Sequence, residues 1–67
     1  MKTSYDASTD SLYIEVRALP SVRTVEERPD VMVDYGADGG IVGYDIQHAS
    51  QKRELIAKLI LAEPIAA

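Results

Sequence analysis

The sequence predicts an α+β fold: an antiparallel β-meander of four to five strands followed by one C-terminal helix packed on its apolar face. Three observations carry that expectation. Apolar and polar residues alternate with a period of two in three separate runs, short clusters of turn-forming residues separate the runs, and the period changes to that of a helix after Ala49. The 67 residues are read as a single small domain, 1–67, with the sheet in 1–47 and the helix in 50–63.

A brief first strand from Lys2 to Tyr5 meets Asp6, Ala7, Ser8, Thr9 and Asp10, short polar residues that favour a reversal. The chain then turns back into Leu12, Ile14 and Val16, which share one side while Tyr13 and Glu15 take the other. Pro20 and the pair Pro29 and Asp30 bracket a weaker segment, Ser21 to Arg28, in which Val22 and Val25 fall on opposite parities. Its charges at Arg23, Glu26 and Glu27 mark it as an edge strand, because charge discourages a second chain from pairing there. Val31, Val33 and Tyr35 repeat the alternation against Met32 and Asp34. Gly36, Ala37, Asp38, Gly39 and Gly40 form the next reversal, with Asp38 and Gly39 suited to positive φ. Val42, Tyr44 and Ile46 then face one way, and Gly43 and Asp45 the other.

After Ala49, Ser50 reads as an N-cap. Leu55, Ile56, Leu59, Ile60 and Ala62 lie on one arc of a helix, Lys52, Glu54 and Lys58 form its wet side, and Pro64 ends it. Leu61 falls away from the main arc, so Leu61 and Ile65 are left in need of a partner and are the expected interface residues.

Composition narrows the function classes. Cys is 0 and His is 1, which removes disulfides and most transition-metal sites, the usual supports of so small a core. Self-association is the support that remains, so a homodimer is expected, completed across a two-fold axis by Leu61 and Ile65 or by an edge strand. The formal net charge of −4 opposes binding to a phosphate backbone, so no nucleic-acid partner is expected. Residues 1–47 carry 4 basic and 9 acidic groups against 3 and 2 in residues 48–67, so a slightly basic helix can pack on an acidic sheet. No apolar run approaches the roughly 20 residues of a membrane span, and the first residues lack the apolar core of a secretory signal. A cytoplasmic protein with no membrane partner is the expectation.

Candidate chemistry is sparse. Counted as an EF-hand loop from Asp34, Gly36 falls third, Asp38 fifth, Gly39 sixth and Asp45 twelfth; the third ligand is missing, and the flanks alternate like strands where such a loop needs helices. Glu26 and Glu27 are adjacent, and neighbours on a strand point to opposite faces, so they do not make a hydrolytic pair. His48 has neither a Cys nucleophile nor a Gly-x-Ser-x-Gly elbow beside it and reads as a capping or surface residue near the Ser50 turn. The tyrosines Tyr5, Tyr13, Tyr35 and Tyr44 read as cross-strand packing in an acidic setting. No catalytic, metal or cofactor-binding residue is assigned and no cofactor is expected.

Taken together, Tyr5-Asp6, Asp10, Leu12-Tyr13-Ile14, Thr24 with Glu26, Val33-Asp34-Tyr35, Asp38-Gly39, Ile41-Val42-Gly43, Asp45-Ile46 and Ala49-Ser50 resemble the short prokaryotic proteins grouped as domain of unknown function 2283. The likeness spans about residues 1 to 50 and is most specific in the hairpin from Val33-Asp34-Tyr35 to Gly43-Tyr44-Asp45-Ile46. It implies an antiparallel β-meander, often followed by a helix, and no established activity. Some members resemble the partner half of two-gene toxin and antitoxin arrangements. Gly36 stands where an acidic residue is common, and Asp45 where Glu is commoner.

The expected function is therefore a non-enzymatic, self-associating protein-interaction module, of which toxin neutralisation is the most concrete form. The alternative is a small-ligand or metal-binding protein or enzyme whose site forms at a dimer interface from Asp34, Asp38 and Asp45. A transcriptional autoregulator would need a basic surface that only Lys52, Arg53 and Lys58 supply.

Overall fold

The computed structural model describes residues 2–62. Five strands, β1 (Lys2–Asp6), β2 (Ser11–Glu15), β3 (Arg23–Arg28), β4 (Val31–Tyr35) and β5 (Ile41–Gln47), form one sheet, followed by a 3-10 turn, Ala49–Gln51, and the helix α1 (Arg53–Ala62). All pairings are antiparallel and the strand order is β1-β2-β5-β4-β3.

The order follows from where the apolar residues fall. β5 has the most buried side chains of the five strands and takes the centre, with Val42, Gly43, Tyr44 and Ile46 buried. β2 and β4, each with one apolar row, flank it: Ile14 lies opposite Tyr44, which lies opposite Val33, and Leu12, Ile46 and Val31 form the next row. β1 and β3 carry little that needs covering and occupy the edges, as the charges of β3 predict. Thus β3, β4 and β5 run on as a meander, while the β1–β2 hairpin pairs on the far side of β5. The link from Glu15 to Arg23 crosses the end of the sheet. It is pinned there by Val16 N–H and Arg17 N–H, both donating to the Val42 carbonyl, and by Val22 N–H donating to that of Tyr35.

Ile14, Val31, Val33, Tyr44, Ile46 and Ala49 form the core cluster, with Leu55, Ile56 and Leu59 of α1 packed against it. The expectation for the helix changes in two respects. Ser50 lies in the 3-10 turn and does not cap α1; the first helical bond runs from Ile56 N–H to the Lys52 carbonyl, so α1 begins after Lys52. Ile60 sits at the rim, 37% exposed, and does not cover the sheet. Leu61 is 85% exposed, whereas Ile65 lies outside the described residues, as does residue 63 at the expected helix end. The Gly36–Gly40 reversal forms, with Gly39 at φ +83° and Asp38 outside the positive-φ region.

Candidate functional site

Two polar constellations stand out, one on the sheet face opposite α1 and one where the chain passes from β5 into the helix. On the open face, period-two alternation brings Glu15, Gly43, Asp34 and Thr24 into one cross-strand row and Tyr13, Asp45, Met32 and Glu26 into the next. Tyr13 leaves its own row. Its ring crosses Gly43 so that the phenol donates to Asp34 Oδ2 at 3.0 Å, while Thr24 Oγ1 donates to Asp34 Oδ1 at 2.6 Å. One carboxylate thereby ties β2, β4 and β3 across the intervening β5.

Gly43 makes that crossing possible. A Cβ there would stand 2.3 Å from Tyr13 Oη and 2.8 Å from the Ile14 carbonyl oxygen. Burial under the sheet's own side chains, reinforced by the hydrogen bond to Asp34, pushes the Tyr13 phenol up to about 12. A phenol so hard to ionise is a donor, not a base.

The second constellation is a clamp built from three residues in the left-handed region, Asp10 (φ 52°), Asp30 (φ 65°) and His48 (φ 53°), a conformation that Asp and His tolerate better than most side chains. Asp10 ends the β1–β2 turn. Its Oδ1 accepts from Tyr5 Oη at 2.6 Å and from Ser50 N–H at 3.0 Å, its Oδ2 accepts from Ser50 Oγ at 2.7 Å, and its carbonyl accepts from Ala49 N–H. The Tyr5 bond first, then those of Ser50, hold the Asp10 carboxyl below the usual carboxylate range. Asp30, in the β3–β4 turn, accepts from Gln47 N–H through its carbonyl, and its Oδ2 lies 3.1 Å from His48 Nδ1 and 3.8 Å from Lys52 Nζ. Lys52 Nζ also donates to the Gln47 carbonyl at 2.7 Å. Two turns from opposite halves of the sheet thus grip residues 48–52, and His48 stands exposed at the N-cap position of the 3-10 turn without a side-chain capping bond.

Asp34, Asp38 and Asp45, the carboxylates of the alternative dimer-interface site, each bond to a different partner within one chain. Asp34 is engaged by Tyr13 and Thr24, and Asp45 accepts from Gln47 Nε2. Asp38 forms a two-point ion pair with Arg17 at 2.8 and 3.0 Å, which holds its carboxyl far below the usual range. The flanks are the strands β4 and β5, not helices, and among the described residues no group of three or more His, Cys, Asp or Glu could hold a metal ion. Of the three basic residues Lys52, Arg53 and Lys58, Lys52 donates to the Gln47 carbonyl and lies 3.8 Å from Asp30 Oδ2. Glu26 and Glu27 separate as expected: Asp30 N–H donates to Glu26, and the Tyr35 phenol to Glu27, where β3 carries a bulge.

Arg17 escaped sequence reasoning because its partners lie across the sheet. Asp10 was visible only as a turn former; the spacing from Asp10 to Ser50 carries no local signal, and only the fold closes it.

A five-stranded antiparallel sheet, covered on one face by a short helix and laced on the other by a tyrosine–aspartate–threonine chain, defines the class: a small α+β sheet protein. The chain belongs to the family described as Protein of unknown function (DUF2283), whose model matches residues 2–50. The match takes in all five strands and stops at Ser50, the residue held by Asp10. No curated protein and no solved structure matches the chain. Among the described residues no helix is long and apolar enough to cross a membrane.

Proposed function

We propose that this protein is a non-enzymatic, self-associating protein-interaction module of the cytoplasm, and that neutralising a toxin partner is its most concrete role. One observation carries the reading: α1 docks by Leu55, Ile56 and Leu59, yet leaves Leu61 85% and Ile60 37% exposed. In a chain with so few buried residues, apolar surface held out to water on a docked helix is what a partner protein covers. Leu61 is the partner-facing residue of α1. The polar constellations support the same reading, because their groups bond to one another and brace the sheet and the turn.

Co-purification with the product of the adjacent gene tests it. A stoichiometric complex that is lost with Leu61→Asp is the expected result; because Leu61 makes little contact with its own chain, the variant keeps its fold. Preparations free of any companion, or a complex indifferent to Leu61→Asp, contradict the assignment.

A further inference from the structure

The two edges of the sheet are not equivalent. On β3 a bulge between Glu26 and Arg28 interrupts the register, Pro29 follows, and four of its six residues, Arg23, Glu26, Glu27 and Arg28, are charged. These features discourage a further strand. β1 has no bulge and no proline, and its two charges, Lys2 and Asp6, stand at its ends. Its register with β2 runs unbroken from Lys2 opposite Glu15 to Asp6 opposite Ser11, every residue is exposed, and its interior, Thr3, Ser4 and Tyr5, is neutral. The outer backbone groups of β1 are a template for one more antiparallel strand.

The sequence of β1 complements itself. When two copies pair antiparallel about a two-fold axis normal to the sheet at Ser4, residues whose numbers sum to eight lie opposite one another. Lys2 then meets Asp6 of the second copy, Ser4 meets Ser4, and Asp6 meets Lys2, all on the open face. Thr3 meets Tyr5 twice on the helix face. Opposite charges directly across a strand pair are stabilising. Moving the axis to Thr3 or Tyr5 sets Lys2 or Asp6 against a neutral residue and shortens the paired stretch. Beside this edge, Tyr5, Leu12, Ala49, Ser50, Arg53 and Ile56 line an open groove of ≈ 320 Å³ on the helix face. Tyr5 is 54% exposed there, although its phenol is bonded to Asp10.

We infer that a second copy of this chain docks along β1 in the register centred on Ser4, giving a continuous ten-stranded sheet with both helices on one face. The inference rests on the self-association in the reading above and names its surface. Partner binding through α1 stays available in such a dimer, since β1 and Leu61 are separate surfaces.

The native chain has no cysteine, so single cysteines report the register without background. Ser4→Cys places two thiols directly opposite, at about 4.5 to 5.5 Å between Cα atoms, within disulfide reach. Thr3→Cys places them roughly 8 Å apart on the diagonal, beyond it. Wild-type protein is expected to sediment as a dimer from low micromolar concentration upward. Under mild oxidation Ser4→Cys should cross-link nearly completely and Thr3→Cys should remain uncross-linked, with both variants retaining the wild-type circular dichroism. A wild-type monomer throughout the range overturns both the seam and the self-association. A wild-type dimer in which Ser4→Cys cross-links no better than Thr3→Cys overturns the β1 seam alone and moves the contact to another surface.

Discussion

At the scale of single residues, Gly43 has the sharpest consequence. A methyl at that position meets the Tyr13 phenol and, 2.8 Å away, the Ile14 carbonyl oxygen, which belongs to the backbone and has little room to yield. Gly43→Ala should therefore cost about 1 to 3 kcal/mol in urea denaturation. Adding Tyr13→Ala should recover only part of that loss, because the backbone contact remains. Tyr13 itself should ionise near 12 in a spectrophotometric titration, and Tyr13→Phe should remove that component. With the folded value above the ordinary one of about 10, its contribution is present below pH 10 and is lost as the pH climbs towards 12. Asp10 works in the opposite sense. Its folded carboxyl is depressed, so the bonds to Tyr5 and Ser50 add stability above the usual carboxylate range, and that stability goes as the pH falls from about 4. Thermal melts across that range should show a smaller acid loss in Asp10→Asn than in wild type, from a lower starting stability.

At the scale of elements, α1 is a short helix whose hold on the sheet comes from a few side chains. Ten residues are marginal for a helix in isolation, so its amides should be protected only as far as Leu55, Ile56 and Leu59 stay docked. Leu59 is half-buried, and Leu59→Ala should cost about 1 to 3 kcal/mol, less than a fully enclosed leucine. Leu61→Ala, at a site 85% exposed, should stay within about 0.5 kcal/mol of wild type. The two substitutions, compared by chemical denaturation, separate the docked row from the free one. The helix start shows how a correct signal can serve a different purpose. Ser50 has the chemistry of an N-cap, and its hydroxyl and N–H are both used, but by Asp10 forty residues earlier, so the chain makes a 3-10 turn before α1 begins.

At the scale of the molecule, stability is concentrated in very few side chains. Ile14 and Ile46 are 1% and 0% exposed and lie on adjacent strands in neighbouring rows. Ile46→Ala should cost about 2 to 5 kcal/mol, a large part of what a domain of this size possesses at about 0.05 to 0.15 kcal/mol per residue. A cooperative melt of wild type with loss of the transition in Ile46→Ala is the expected pattern. The sheet is a frame in which two clamped turns fix the start of the helix, while β1 and Leu61 stay exposed.

Alternation along Leu12–Val16, Val31–Tyr35 and Val42–Ile46 was enough to set those three strands and their inward faces, because side-chain direction in an extended chain depends on parity alone, and the change to helical spacing after Ala49 set the helix. The charges of Arg23–Arg28 likewise marked an edge. Strand order was decided only in three dimensions, where β5 entered between β2 and β4, since pairing depends on which apolar rows can be covered together. The same holds for the carboxylates. Asp34, Asp38 and Asp45 look like one group along the chain, yet Tyr13, Arg17 and Gln47 each take one of them. A hydrogen bond is selected by distance in space, and residue spacing specifies that distance only within an element.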